Sequence, residues 1–532
     1  MKLLKYFGCS AILMSAAMLQ AQDAAEVEQL KKKLQQLQEQ FEKAQNEHQK
    51  QMKALMQQID GLQQKQSSLT ADQQQLKDQM SQPMADAAKA SSLEKGRWRP
   101  SDPISLLQRD SSYLNLSLSG LFAAGGSTAN DLSSLQLGGH DPSQRGFTVQ
   151  NVEAVFEGAV DPYFRGQANT IFFIDRDGET VVELEEAYLE SLSLPWNLQL
   201  KAGQYYTEFG RHNPTHPHAW AFVDIPLVNG RFLGPDGLRN PGARLSWLMP
   251  TPFYSELFLG VQNSHGETAF SFRSGEGHGH EGESEGLPFA FRENENDRGV
   301  RNLDDLLLAP RYAVSFDLTD TQTLLLGASG AFGPNSSGES GNNDTQIYGA
   351  DLTWKWRSSR HQGGFPFVTW QTEGMLRNYR AGSFDWDEEG DLGDADGNGF
   401  PDEGVLVDAS TGLPAAFSRE TLTDYGFYSQ VLYGFRKGWV AGLRFDFVTG
   451  SRGDYEKLPL ILADNAGGGA SAGRDLLRRE RWRFSPNLTW YPSEFSKVRL
   501  QYNYDDRRDI GVDHSVWLQL EFLLGSHAAH KF

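Results

Sequence analysis

The chain has 532 residues, a single cysteine and a formal net charge of −20, because 69 acidic residues outnumber 49 basic ones. This acidic balance argues against a nucleic-acid-binding protein, which needs basic patches. Beyond the N-terminal segment, no window approaches the roughly 20 apolar residues that a helical membrane span requires.

The N-terminus has the order of a cleavable secretory signal. Lys2 and Lys5 precede an apolar stretch over residues 6–19, and small residues lead into a polar run near Ala21. We therefore expect residues 1–21 to be a signal peptide and the mature chain to lack disulfides and thiolate metal sites. Lipoprotein cleavage at Cys9 is the less favoured alternative, because only a few apolar residues precede it.

Residues 22–82 are predicted to form a periplasmic coiled coil. Apolar residues recur in steps of four and three at Leu30, Leu34 and Leu37 within a segment rich in Gln, Lys and Glu. One such helix cannot bury its apolar seam alone, so self-association is expected, with a trimer preferred to a dimer. A lone helix is the alternative. Pro83 ends the helix, and residues 83–109 are interpreted as a linker.

From about residue 110 the apolar period changes to two, which indicates β-strands. Leu443 and Phe445 fall on one face of such a strand, and Arg444 and Asp446 fall on the other. An apolar outer face opposite a charged face that lines a water-filled lumen is typical of a transmembrane barrel. The sixteen expected strands start near residues 113, 146, 163, 180, 196, 239, 252, 309, 321, 344, 364, 421, 437, 480, 494 and 514.

The connections between these strands alternate in length. Tight turns such as Asp161-Pro162 and Pro492-Ser493 are interleaved with long polar loops. The long loops cover residues 125–145, 208–238, 263–308, 333–343, 381–420 and 451–477. In bacterial outer-membrane barrels, short turns face the periplasm and long loops face outward. We therefore predict an all-β outer-membrane barrel of about sixteen antiparallel strands over residues 110–532, with the coiled coil in the periplasm of a Gram-negative cell.

This layout of signal, coiled coil and sixteen-stranded barrel resembles the phosphate-selective porins of the O and P type. Residues 217–244 and 517–532 are more similar to less characterised bacterial outer-membrane proteins, sometimes described as zinc-regulated TonB-dependent receptors. The chain departs from true TonB-dependent receptors, because no plug-sized domain precedes the barrel and too few residues are present for about 22 strands. It also departs from phosphate-selective porins, because the predicted lumen carries charges of both signs.

The loop at residues 208–238 is the third long-side connection if the short one near Gly178 counts as the second. The third loop of porins folds inward and narrows the pore, so the resemblance implies a constriction here. The loop contains Trp220, Phe222 and Ile225, and such apolar residues indicate packing inside the barrel. An outer lid is the alternative. The polar residues expected at the constriction, as a charge filter, are Arg211, His212, His216, His218, Asp224, Arg231, Asp236 and Arg239.

Strand alternation also predicts which charged residues face the lumen. The expected set is Arg244, Asp351, Lys355, Arg377, Arg444, Asp446, Arg481, Arg483 and Arg499. Many of those on the late strands are basic, which favours a cationic wall. Adjacent acids such as Glu185 and Glu186 are expected to point to opposite faces of their strand.

One segment has the chemistry of a calcium loop. Asp394, Asp396, Asn398 and Asp402 supply oxygen ligands at spaced positions around a glycine, as in extracellular calcium-binding repeats. Val405 stands where an EF-hand needs a glutamate, so the segment is not an EF-hand. A solvated acidic turn is the alternative to calcium.

A second segment, with His278 and His280 on a glycine-rich acidic tether, has the composition of a weak zinc-capturing loop. A disordered acidic loop is the alternative. For His212, His216 and His218, hydrogen-bonded loop histidines are a commoner explanation than a zinc site, because Pro214 and Pro217 prevent a helix that would align them.

The sequence shows no H-E-x-x-H pattern, and a non-enzymatic protein without a required cofactor is expected. The expected function is a porin-like channel for passive diffusion of small hydrophilic solutes or ions, in contact with outer-membrane lipid and assembled as a trimer. The alternatives are a zinc-capture uptake barrel and a structural barrel that tethers the envelope through a periplasmic partner.

Overall fold

The computed structural model describes residues 102–525, except 110–111, 133, 176–177, 275–286, 297, 387–404 and 464–468. The predicted signal peptide and coiled coil lie outside the described residues. No helix in the described part of the chain is long and apolar enough to cross a membrane.

The described residues form β1 (Ile104–Arg109), which precedes the barrel, and sixteen long strands. The barrel strands are β2 (Ser112–Ser127), β3 (Gly146–Ala159), β4 (Phe164–Ile174), β5 (Thr180–Ser191), β6 (Leu198–Tyr206), β7 (Arg239–Leu248), β8 (Tyr254–Asn263), β9 (Leu306–Thr319), β10 (Gln322–Pro334), β11 (Asp344–Gln362), β12 (Phe365–Ala381), β17 (Glu420–Arg436), β18 (Trp439–Gly450), β21 (Arg481–Ser493), β22 (Ser496–Arg507) and β23 (Gly511–Leu524).

Each barrel strand pairs with the next along the chain, and the last pairs with the first. β2 pairs with β3 along Tyr113–Gly125 and with β23 along Leu118–Ser127. All these pairings are antiparallel, and the closed sheet leaves no open edge along its length. The prediction of sixteen antiparallel strands is therefore confirmed, and each strand starts within three residues of its predicted position.

The two faces of the barrel wall differ in chemistry because successive side chains of a strand point in opposite directions. In β18, Leu443 is 51% exposed on the outside, whereas Arg444 and Asp446 are buried on the inside. A shift of one residue in register would place Arg444 among lipid chains, so this alternation fixes the pairing of the strands.

β1 lies inside the segment interpreted as a linker. It pairs with residues Ser112–Leu116 of β2, which precede the first β2 residue paired to β23. The edge of β2 at this end would otherwise expose unpaired backbone groups. The segment before the barrel therefore ends in a strand rather than in an irregular connection.

The long connections gather at one end of the barrel and carry short elements of their own. In one small sheet, β13 (Phe384–Asp385) pairs with β16 (Ala416–Phe417). A second small sheet has four strands in the order β15 (Leu413–Pro414), β14 (Leu406–Asp408), β19 (Leu460–Ala463) and β20 (Gly469–Ser471). Among the described residues, the long connections also contain α1 (Leu227–Leu233) and 3₁₀ turns at Pro217–Ala219, Phe289–Phe291, Leu303–Asp305 and Tyr455–Lys457, and a further 3₁₀ turn, Pro195–Asn197, lies in the tight turn between β5 and β6. An apolar cluster that includes Phe291, Phe417 and Tyr455 joins three of these loops.

The outward face of β18 supplies a test of membrane insertion. We expect Leu443→Arg to lower the free energy of unfolding in lipid vesicles by about 2–4 kcal/mol, because it places a charge among acyl chains. Leu443→Met is the matched control and should change it by less than about 1.5 kcal/mol. Denaturant titration in vesicles measures both variants, and equal stabilities would contradict a lipid-facing position.

Candidate functional site

The connection between β6 and β7, residues 207–238, runs through the inside of the barrel; we call it the inner loop. Its apolar residues form a buried core with inward side chains of six barrel strands. The loop contributes Phe209, Leu227, Val228, Phe232, Leu233 and Leu238, and the wall contributes Leu307, Ala331, Ile347, Met375, Tyr428 and Val448. At this level the interior is packed with side chains, where the sequence led us to expect a water-filled lumen.

Asp224 of the inner loop is the first point of attachment to the wall. Its carboxylate is fully buried and accepts hydrogen bonds from Arg444 (2.5 Å), Arg483 (3.0 Å), Gln501 (3.0 Å) and Asn503 (2.7 Å). Burial raises the pKa of Asp224, but Arg444 and Arg483 outweigh burial and hold this pKa below its ordinary value. Three strands, β18, β21 and β22, thus converge on one carboxylate, and we call this arrangement the Asp224 anchor.

Further groups of the same wall extend the Asp224 anchor. Arg444 Nη1 donates to the Asp224 carbonyl at 2.8 Å, and its Nε donates to Asp446 at 2.8 Å. The backbone N–H of Leu227 donates to Asp446 at 3.1 Å, and Arg499 donates to the Trp220 carbonyl at 2.8 Å. The wall built by the late strands is therefore rich in arginine, as expected, but these cations are bound to aspartates and to loop carbonyls.

His216 is the second point of attachment, on the wall built by β3 and β5. Its Nδ1 lies 2.6 Å from Glu185 and 3.3 Å from Glu153, and its Nε2 lies 3.0 Å from Glu186. Ionised carboxylates only accept hydrogen bonds, so both ring nitrogens carry a proton and the ring is an imidazolium. Burial lowers the pKa of His216, but Glu185 and Glu153 outweigh burial and raise this pKa well above its ordinary value. We call this arrangement the His216 anchor.

A β-bulge in β5 creates the His216 anchor. Asn169 of β4 pairs with Glu186 while Thr170 pairs with Leu184, so Glu185 is an extra residue in the ladder. Both glutamates are buried on the inside, and the expectation that they point to opposite faces is wrong. The extra residue resets the alternation, because a bulge re-aims the side chains that flank it.

The other histidines of the inner loop have different surroundings. His218 Nδ1 lies 2.9 Å from Glu153 and extends the His216 anchor. His212 is buried and packs against Trp220, with ring centroids 5.1 Å apart. Burial, together with Arg444, lowers the pKa of His212 to about 3, so this ring is neutral at physiological pH.

The remaining residues predicted for the constriction lie along the inner loop and its junction with β7. Arg231 donates to the Arg479 carbonyl at 2.6 Å, and burial lowers its pKa to about 9 with help from Arg481. Arg239 forms an ion pair with Glu183, and Arg211 is half-buried. Asp236 Oδ1 lies 3.9 Å from Nε2 of His140, a buried residue in the connection between β2 and β3.

The predicted lumen residues lie on the inward faces of their strands, and most are held in ion pairs. Arg244 pairs with Glu208, Arg377 with Asp424, Asp351 with Arg311, and both Arg481 and Arg483 with Asp505. Lys355 is half-buried. Sequence reasoning missed the partners Glu153, Gln501, Asn503 and Asp505, although inward alternation in β3 and β22 could have found them.

Two predicted sites lie outside the described residues. They are the calcium-like segment at residues 394–402 and the tether that carries His278 and His280, and both stay predictions. The G-x-S-x-G spacing of hydrolase nucleophiles occurs twice, at residues 282–286, which also lie outside the described residues, and at residues 469–473, which begin with β20.

No protein-family model matches the chain. An uncharacterised protein of Aquifex aeolicus (strain VF5) is 28% identical over 414 residues, which cover 74% of this chain and 73% of the relative. The fold is similar to the outer membrane channel DcaP of Acinetobacter baumannii, at 12% identity and a TM-score of 0.45 over 78% of this chain and 99% of that chain. It is also similar to an anion-selective porin from Comamonas acidovorans, at 7% identity and a TM-score of 0.43 over 78% and 100% of the two chains. The closed barrel of sixteen antiparallel strands is itself the architecture that the resemblance to porin-like outer-membrane barrels implied.

The Asp224 anchor predicts a large effect of one substitution. We expect Asp224→Ala to lower the free energy of unfolding by about 3–5 kcal/mol, because it removes one of the two carboxylates that each of the buried Arg444 and Arg483 pairs with. Asp320→Ala, in an exposed turn, is the control and should change it by no more than about 0.5 kcal/mol. Denaturant unfolding in detergent compares the two, and similar losses would refute the anchor.

The two anchors predict opposite pH dependences. The pKa of His216 is raised, so its contribution to stability is complete below about pH 6.5 and is lost as pH rises through the raised value. The pKa of Asp224 is lowered, so its contribution is complete above about pH 4 and is lost as pH falls through the lowered value. Wild type should therefore lose up to about 1.4 kcal/mol per pH unit on the alkaline side, and His216→Gln should lose less. Equal alkaline slopes in unfolding titrations would contradict the imidazolium.

Proposed function

We propose that the protein is a porin-like channel of the bacterial outer membrane for small hydrophilic solutes or ions, with the inner loop as its constriction. The main observation in support of this proposal is that many ionisable side chains lie inside a closed barrel whose outer face is apolar. Ionisable groups at membrane depth are costly, and they mark solute or ion pathways in membrane proteins.

The tethering alternative accounts less well for this interior. An anchor needs only a stable barrel, and buried ion pairs contribute little stability compared with apolar residues of similar size. Arg244, Arg377, Arg444 and Arg483 are all at most 1% exposed inside the barrel. A chain selected only for attachment would gain nothing from this many desolvated charges.

The attachment of the inner loop fits a constriction that can rearrange. The loop meets the arginine-rich wall through the carboxylate of Asp224 and the glutamate-rich wall through the imidazolium of His216. Both attachments are non-covalent and respond to charge. Because the interior beside the loop is packed, conduction requires the loop to shift along one of these walls, and the exposed charges then set selectivity. A trimeric assembly of such barrels is part of the same proposal.

Planar-bilayer recording tests the proposal. Purified wild type should give discrete conductance steps, and Asp224→Ala and His216→Ala should raise conductance or open probability at least about twofold, because each releases one end of a pore-narrowing loop. Asp320→Ala should behave as wild type. An absence of ion current in wild type and in both anchor variants would overturn the channel and favour a plugged barrel.

A further inference from the structure

A second histidine–carboxylate cluster lies beside the inner loop, apart from the His216 anchor. It joins His140 of the β2–β3 connection, Glu183 of β5 and Asp236 of the inner loop, and one ligand atom from each residue lies within 4.8 Å of the other two. His140 and Asp236 are buried, and Glu183 is partly buried. Three segments that are distant in sequence thus present one nitrogen and two oxygens to a common point.

The hydrogen bonds of His140 fix which of its nitrogens faces the carboxylates. Nδ1 lies 3.2 Å from the carbonyl oxygen of Gln150, and the Gln150 side chain donates back to the His140 carbonyl at 2.8 Å. A carbonyl only accepts, so Nδ1 carries the proton and the lone pair of a neutral ring is on Nε2. Metal-ligating histidines are commonly held in this way, with the other ring nitrogen bonded to a backbone carbonyl.

His140 and Glu183 each have a buried side-chain atom that lacks a hydrogen bond among the described residues. His140 Nε2 is buried and has no hydrogen-bond partner among the described residues, and it lies 3.9 Å from Asp236 Oδ1. The same holds for Oε2 of Glu183, whose other oxygen pairs with Arg239. The lone pair on His140 Nε2 and the negative carboxylates of Glu183 and Asp236 repel one another unless a positive charge lies between them.

The backbone around the cluster is shaped to bring these groups together. A side chain at Gly139 would collide with the carboxylate of Asp236, and the Gly139 N–H donates to the Pro235 carbonyl at 3.1 Å. A small cavity lined in part by His140, Tyr206 and Asp236 opens beside the ligand atoms. Glycine at this position lets one loop approach the other closely enough to share a ligand.

We propose that His140, Glu183 and Asp236 bind a divalent transition-metal cation that clamps both connections to β5. One imidazole nitrogen and two carboxylates suit cations such as Zn²⁺ and Mn²⁺. With a neutral ring, the two carboxylates and Arg239 sum to one negative charge, which a divalent cation more than offsets. The site is independent of the proposed conduction, because cation binding is measured without any ion current.

Calorimetric titration of the detergent-solubilised full chain with Zn²⁺ and Mn²⁺ tests the site. Wild type, after dialysis against a chelator, should bind one cation per chain in a step that His140→Ala and Asp236→Asn each weaken at least about tenfold. Asp236→Asn keeps the shape of the side chain, and thermal unfolding of each variant verifies that it folds. Co²⁺ should give a visible absorption spectrum in wild type that His140→Ala abolishes.

Two controls separate this site from other histidines. His361→Ala, at the exposed end of β11, and the double variant His278→Ala/His280→Ala should both retain the binding step. Loss of the step in the double variant alone would assign it to the tether and overturn the proposal. Absence of the step from wild type would also overturn the proposal.

Discussion

The buried carboxylate of Asp224 is the interaction on which the interior of the barrel depends. Two arginines and two side-chain amides from β18, β21 and β22 donate to it, and all four donors are buried, so loss of the carboxylate would leave part of their hydrogen-bonding capacity unsatisfied. The cost of burying such groups is several kcal/mol per ion, and it is repaid only when geometry and hydrogen bonding are complete. The wall and the inner loop therefore stabilise one another.

The second anchor has the opposite sign, and this arrangement orients the inner loop. The loop presents a carboxylate to the arginine-rich wall and an imidazolium to the glutamate-rich wall. A loop inserted the other way round would place like charges together, which costs several kcal/mol. α1 follows Asp224 in the chain and packs Leu227, Val228 and Phe232 into the buried core beside β12, β17 and β18. Charge sets the orientation of the loop, and apolar packing fills the volume.

Most of the barrel could be predicted because one face of every strand meets lipid, and a period of two is then unavoidable. The interior was harder, because alternation states which way a side chain points and not what it meets. The bulge at Glu185 has no signature in a single sequence, so Glu185 and Glu186 were expected on opposite faces, although both point inward. The pairing of Asp224 with Arg444 joins residues 220 positions apart, and such contacts follow from closure of the barrel rather than from any local motif.

Closure of the barrel also brings together the two ends of its sequence. The first barrel strand completes its ladder only with the last one, and the side chains of Thr128 and Asp513 that meet at this seam are separated by 385 positions. The inner loop is enclosed by the wall on all sides only when this seam is formed. The burial of its charged groups therefore depends on contacts between the two ends of the barrel sequence.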